Sequence, residues 1–379
     1  MSADLHRLRS LTSIKWTMHD HEVLPAWVAD MDLPPAPVVI EAVERLAARG
    51  DFGYNFDAAC RLPDVFADWQ ERRHGWRPDT ERIRLFCDVM QAVQTALWLA
   101  TEAGDGVVIF TPIYPPFLSS VTSIGRRIVD CPLDPVGWRL DPDSLGSAID
   151  ERTRVILLCS PHNPTGRVFT AEELETVARV AARHDLLVIS DEIWGDLTHP
   201  GAPPRPFASL GADAAARTVT VSAASKAFNV AGLRCAVAHI GDERIAAGLA
   251  GLPDHLLGAV GSPGAEATLA AWTQGEPWLE QTRAHLTGQR DHLAARFAAE
   301  LPEVGFVLPE ATYLAWLDFR PLALGDDPAR WLLEQARVAL SAGPGFGPHG
   351  TGFARLNFAT SREILDEIID RIVTAIRSR

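Results

Sequence analysis

The sequence has no cysteine pair at C-x-x-C spacing and no cluster of metal-ligating side chains. Its five cysteines, Cys60, Cys87, Cys131, Cys159 and Cys235, are scattered along the chain. That pattern argues against a metal site and a disulfide framework, and it points to a reducing, cytoplasmic setting. No run of about 18 apolar residues is present, so no membrane-spanning helix is expected. Met1 to Asp20 is polar and lacks an apolar signal core, so no secretory leader is expected. Positive charge is in deficit, with 35 Lys and Arg against 49 Asp and Glu for a net charge of -14. That balance argues against nucleic acid as a partner. Internal repeats and low-complexity segments are absent. What remains is ordinary globular composition, 47% hydrophobic and 22% charged, on a chain of 379 residues. Such a length predicts two domains.

Apolar runs alternate with helical patterns from about residue 83 onward. Ile83–Cys87 reads as a strand leading into Asp88-Val89-Met90-Gln91 and a helix over 92–103. Val107–Phe110 leads into Thr111-Pro112-Ile113-Tyr114, and Val155–Cys159 into Ser160-Pro161-His162-Asn163-Pro164. Thr170-x-x-Glu173 is a capping box that opens a helix to about His184. Leu186–Ser190 leads into Asp191-Glu192-Ile193-Trp194, and Thr218–Val221 leads toward Lys226. Continuous apolar strands alternating with amphipathic helices predict a three-layer, doubly wound, mostly parallel α/β sheet. Beyond about residue 260 the pattern changes to a smaller α+β domain. Its strands are expected at 313–319 and 353–358, with a helix near 328–340 and a terminal helix capped by Thr360. Proline at a first helical position predicts a helix over 63–74. The Gly-rich stretch Gly343 to Gly347 reads as a flexible loop, either over a site or on the surface.

Tyr114, Asn163, Asp191 and Lys226 all follow strands, where such sheets bind ligands. Lys226 lies among small residues in Ser222-Ala223-Ala224-Ser225-Lys226, which leaves room for a bulky group at its tip. A lysine carrying an aldehyde cofactor as a Schiff base needs such a setting. Alone, it reads as well as an exposed loop lysine. Arg234 offers a fork for a phosphate. Residues 88–91 lie at a helix start, where free N–H groups attract phosphate. Asp191 suits either a helix cap or a partner for a pyridinium nitrogen, and Asn163 either a structural turn or an amide donor to a phenolate oxygen. Tyr114 suits ring stacking or core packing. Arg355 sits among apolar strand residues and needs an anion, either a substrate carboxylate or a structural ion pair.

Taken in order, Asn-Pro-x-Gly, Asp191, Ser-x-x-Ser-Lys226 and an arginine resemble the fold-type I pyridoxal-phosphate enzymes, the aspartate aminotransferase superfamily. Trp27-Val28-Ala29-Asp30-Met31-Asp32, Phe52-Gly53-Tyr54, Pro161-His162-Asn163-Pro164, Ser190-Asp191-Glu192-Ile193, Ser225-Lys226-Ala227-Phe228-Asn229 and Tyr313-Leu314-Ala315-Trp316-Leu317-Asp318 resemble its cystathionine β-lyase branch, the PatB-type C–S lyases. The resemblance covers nearly the whole chain. It implies pyridoxal 5'-phosphate as cofactor, held by Lys226. Catalytic roles fall on Lys226, Asp191 and Tyr114. Val89, Met90, Asn163, Trp194, Ser222, Ser225, Arg234 and Tyr54 would complete the cofactor site, with Tyr54 reaching the neighbouring subunit of a homodimer that shares its active sites. Arg355, Asn163, Ala29 and Asp30 would receive an amino-acid substrate.

The resemblance further implies cleavage of a cystathionine-like cysteine S-conjugate. Its alternatives are an aminotransferase or a biosynthetic relative acting on a large S-conjugate. Residues 1–42 are expected to join the small domain and dimer contacts, 43–264 to form the cofactor domain and 265–379 the small domain. Three positions depart from the branch: Asp88 stands where glycine is usual, Trp194 where histidine is common, and Thr17 where aspartate is frequent.

Overall fold

The computed structural model describes residues 4–53 and 57–379. Its centre is a seven-stranded sheet of β1 (Ile83–Phe86), β2 (Gly106–Ile109), β3 (Arg127–Asp130), β4 (Thr153–Cys159), β5 (Leu187–Asp191), β6 (Thr218–Ser222) and β7 (Ala236–Ile240). Their order is β1-β7-β6-β5-β4-β2-β3. The pairs among β3, β2, β4, β5 and β6 are parallel, and β7 pairs antiparallel with both β6 and β1. Successive side chains of a strand face opposite sides. Val155, Leu157 and Cys159 of β4 thus enter one buried cluster with Leu187 and Ile189 of β5. Ile156, Leu158 and Val188 enter another on the opposite face. Burial on both faces explains why these strands read as unbroken apolar runs. The capping box at Thr170 is formed, and its helix spans Ala171–Arg183.

A second sheet, antiparallel, contains β8 (Gly305–Phe306), β9 (Leu314–Asp318), β10 (Ser341–Ala342) and β11 (Phe353–Asn357) in the order β10-β11-β9-β8. Arg355 lies on β11 between Trp316 of β9 and Ser341 of β10. Leu365, Ile368 and Ile369 of the terminal helix Arg362–Arg377 share a core with Leu314 and Leu317 of β9. The helix Ser262–Gln274 packs on the helices Pro37–Arg49 and Asp57–His74. The expected domain limits at 42/43 and 264/265 fall within the helices Pro37–Arg49 and Ser262–Gln274 respectively.

The N-terminal segment crosses the molecule as a strap. Leu24–Pro25 pairs with Val338–Ala339. Lys15 and Asp32, both buried, form an ion pair at 2.9 Å, and the Trp16 indole donates to the same carboxylate at 2.9 Å. Asn229 accepts from the Met31 N–H at 3.0 Å and donates to the Met31 and Leu33 carbonyls at 2.9 and 2.8 Å. Asn357 donates to the Val28 and Asp30 carbonyls at 2.6 and 2.7 Å. Residues 27–33 are thereby held between the Lys226 turn and β11.

Several boundaries differ from those read in the sequence. The helix expected at 63–74 begins at Asp57, with Pro63 in its interior. Burial of Ala58 and Leu62 holds the extra turns despite the N–H that proline lacks. The helix expected over 328–340 ends at Ala336, because Arg337 turns left-handed (φ 55) and the chain pairs as a strand. Ser361, rather than Thr360, caps the last helix by accepting from the Ile364 N–H at 3.4 Å. The Gly-rich stretch is a packed turn rather than a loose loop. Gly343 meets the Gly350 and Phe353 carbonyls so closely that a Cβ would collide with both, at 2.1 and 2.2 Å. Phe346 beside it is buried.

Candidate active site

A cavity of about 550 Å³ opens at the C-terminal ends of the central strands. Tyr114 beyond β2, Asn163 beyond β4, Asp191 ending β5 and Lys226 beyond β6 all line it. Val89, Met90, Trp194, Ser225, Arg234, Ala29 and Arg355 also line it. Ser222 and Asp30 stand outside the wall, although the Asp30 carboxylate still favours the charged form of Lys226. Tyr54 lies outside the described residues.

Lys15 and Lys226 are the only lysines in the sequence. Lys15 is tied up with Asp32, which leaves Lys226 as the one lysine at the cavity. Its Nζ donates to the Ala29 carbonyl at 2.9 Å. The Tyr313 hydroxyl donates to that same oxygen at 2.7 Å. Trp194 packs edge-on against Tyr313, with ring centroids 4.9 Å apart, and its ring lies 5.8 Å from Nζ. Burial pushes the Lys226 pKa down, and the Arg355 charge adds to that effect. Both favour a neutral amine able to accept a proton.

Two further buried ionisable groups face the cavity without an ion-pair partner among the described residues. Asp191 is buried and accepts from the Ile193 N–H at 3.0 Å. Burial raises its pKa to about 7, with Ile193 and Lys226 opposing the rise. Arg355 is 5% exposed and forms no ion pair with a described carboxylate. Its guanidinium donates to Asn163 Oδ1 at 2.8 Å, to the Trp27 carbonyl at 2.9 Å and to Ser341 Oγ at 3.0 Å. Its Nε–H is buried without a partner, and the Phe346 ring lies 5.0 Å away. Burial lowers the Arg355 pKa to about 10, with the two nearby phenols, Tyr114 and Tyr313, opposing. Because Asn163 spends its carbonyl oxygen on Arg355, its amide N–H groups remain for the cavity.

The floor is the start of the helix Val89–Ala100. The first-turn N–H groups of Val89 and Met90 have no intrahelical acceptor. Asp88 caps this helix, accepting from the Gln91 N–H at 2.7 Å. Its other oxygen forms an ion pair with Arg234. The carboxylate that stands where glycine is usual is therefore paired with a guanidinium at the cavity floor. Unmatched anion donors at the floor, an unmatched carboxylate on one wall and an unmatched arginine on another fit a phosphorylated pyridine cofactor with an amino acid beside it.

A profile described as Aminotransferase class I and II matches residues 29–372. The chain belongs to that family. A Mycobacterium leprae protein provisionally named cystathionine beta-lyase is 38% identical, over 98% of this chain and 96% of its own. Cystathionine beta-lyase PatB of Bacillus subtilis is 34% identical over 96% of each chain. A crystal structure from Corynebacterium diphtheriae, provisionally described as a PLP-dependent beta-cystathionase, superposes with a TM-score of 0.94 at 33% identity, covering 100% of this chain and 99% of that one. The fold is that of these class I and II enzymes, with mixed sheet and flanking helices.

Tyr313, Ser341 and Phe346 are site residues that the sequence reading left unassigned. Tyr313 had a visible signal, since only three tyrosines occur in the chain and this one opens a strand motif shared with the lyase branch. The near absence of lysine was a second usable signal. Ser341 and Phe346 had none, because each reaches the cavity only through the pairing of β10 with β11.

The raised pKa of Asp191 makes a prediction for the cofactor-free protein. An acid with a higher pKa folded than unfolded holds the proton more tightly in the folded state, so stability falls as pH rises from about 4 to about 7. Asp191→Asn removes this loss. The cofactor-free variant should be more stable than wild type at pH 8, by up to roughly 4 kcal/mol, and the advantage should vanish near pH 4. Urea unfolding at the two pH values measures it, and an equal advantage at both would contradict the assignment.

Proposed function

We propose that this chain is a pyridoxal-phosphate-dependent C–S β-lyase that cleaves a cystathionine-like cysteine S-conjugate by α,β-elimination. The observation that carries this reading is the cavity itself, where one neutral-leaning lysine, one unmatched buried carboxylate and one unmatched buried arginine converge. The naming of the similar enzymes as cystathionine beta-lyases supports the reaction type.

When bound, pyridoxal phosphate supplies an electron-withdrawing ring that stabilises the electron pair left at a substrate α-carbon. Val89, Met90, Ser225 and Arg234 would hold its phosphate, Asp191 its ring nitrogen and Asn163 its ring oxygen, with Tyr114 against its face. Arg355 receives the substrate carboxylate, with its Nε–H the donor that the protein leaves without a partner. The Lys226 amine takes the α-proton, and burial shifts it toward the neutral form that can do so. The Ala29 carbonyl, fixed from its other side by Tyr313, gives the released amine a defined resting position. Departure of the β-thiolate then leaves pyruvate and ammonia after hydrolysis. Trp194 has one N–H donor and cannot relay protons as a histidine would. Proton traffic accordingly falls to Lys226.

The reading extends to assembly and setting. We place Tyr54 at the phosphate of a neighbouring subunit in a homodimer, supported by the exposed apolar Ile14 and Met18 of the N-terminal segment and Phe52 after the helix Pro37–Arg49. Five free cysteines support a cytoplasmic setting, and no helix among the described residues is long and apolar enough to cross a membrane. We divide the chain into residues 1–42, which join the small domain and dimer contacts, a large cofactor-holding domain over 43–264 and a small C-terminal domain over 265–379.

Two expectations follow. Lys226→Ala should lose the visible absorbance of bound cofactor together with turnover. Arg355→Ala should keep that absorbance and lose about thirty- to thousand-fold in kcat/KM, the cost of a charge-assisted pair in a closed site. Arg355→Lys should also be impaired, because it keeps the charge and loses the fork. Near-normal kcat/KM in Arg355→Ala would make the arginine structural. Light scattering of the holoenzyme at micromolar concentration should give a dimer, and a monomer would contradict the shared site.

A further inference from the structure

The floor of the cavity holds an anion of its own. Asp88 is the residue before the helix Val89–Ala100, and its carboxylate occupies the Gln91 N–H at 2.7 Å. The same carboxylate grips Arg234 through its second oxygen. Arg234 reaches it from a left-handed backbone position (φ 55) at the end of the turn Ala231–Leu233. Both residues line the cavity beside Val89, Met90 and Ser225. The Gln91 side chain is engaged elsewhere, accepting from the Cys87 N–H at 2.7 Å and donating to the Leu257 carbonyl at 2.8 Å. It cannot take over the role of Asp88.

A helix N-terminus and a guanidinium are the two features that draw a phosphate to such a floor. Here one carboxylate uses part of both. A phosphate dianion entering this floor meets the two N–H groups still free in the first turn, a guanidinium already half-neutralised, and a like charge. From this arrangement, and resting on the cofactor reading above, we propose that Asp88 is a specificity-determining residue that weakens binding of the cofactor's phosphate by competing for Arg234 and the helix start. The enzyme therefore holds pyridoxal phosphate less tightly than its remaining contacts allow, and exchanges it more readily.

The contribution is confined to the phosphate, so comparing two ligands isolates it. The probes are pyridoxal 5'-phosphate and pyridoxal, which share the ring and aldehyde, titrated into the full-length cofactor-free protein and followed by absorbance. Asp88→Asn keeps an oxygen acceptor for the Gln91 N–H and removes the charge. It should bind pyridoxal phosphate roughly tenfold or more tighter, with pyridoxal affinity unchanged and with inorganic phosphate a stronger competitor. Release of cofactor from the holoenzyme into a trap should slow by a similar factor. Weaker pyridoxal phosphate binding in Asp88→Asn would overturn the proposal, because Asp88 would then be holding Arg234 in place for the phosphate. Equal changes for both ligands would overturn it too, because the effect would not act on the phosphate. Asp88→Gly, which also removes the cap, separates charge from capping: a gain in phosphate selectivity there supports the competition, and its absence in both variants refutes it. If wild type binds neither probe, the cofactor reading itself fails, which is a different result from a wild type that binds both and a variant that matches it.

Discussion

The Ala29 carbonyl is where three distant parts of the chain meet. It accepts Nζ of Lys226 at 2.9 Å and the Tyr313 hydroxyl at 2.7 Å. It belongs to a strap that Asn229 ties to the lysine turn and Asn357 ties to β11. The Trp27 carbonyl two residues earlier accepts from Arg355. One short backbone segment thus fixes both Lys226, the group proposed to move the proton, and Arg355, the group proposed to receive the carboxylate. Main-chain carbonyls serve well here, since they bring no charge of their own to a site that already contains several. Their positions are set by hydrogen bonds from side chains that are themselves buried or half-buried, so the spacing between Lys226 and Arg355 is decided by the strap as much as by the two sheets.

The electrostatics follow from burial. Asp191 and Arg355 are each taken out of water without an opposite partner, and each shifts toward its neutral form, to about 7 and about 10 respectively. Protein interiors tolerate such groups only where a ligand supplies the missing charge or function requires the strain. In contrast, the buried Lys15–Asp32 pair is matched and serves the strap. On the cavity floor, by contrast, Arg234 already has a carboxylate partner in Asp88.

Much of this was legible in the sequence, and the limits have physical causes. Strands β4 and β5 are apolar throughout because both faces are covered, and a carboxylate at the end of such a run, Asp191, stands out. The Thr170–Glu173 cap is local and was readable for the same reason. Arg355 was visible as a charge among apolar neighbours. Tyr313 and Ala29 are 284 residues apart, and no local pattern announces their bond. The pairing of Asp88 with Arg234 was equally hidden, so Asp88 read only as a departure from the glycine usual there. Arg337 carries no sign that it will turn left-handed and end a helix early. Phe346 sits in a run of glycine and proline that reads as loose chain until the close approach of Gly343 to two carbonyls is known.

Product stoichiometry tests the central claim most directly. The cofactor-loaded enzyme is given cystathionine with no added 2-oxo acid, and thiol, pyruvate and ammonia are measured together. The account predicts the three products in equal amounts, formed continuously and without an amino-group acceptor. Amino transfer that requires an added 2-oxo acid, with the sulfur still attached to the substrate skeleton, would contradict it.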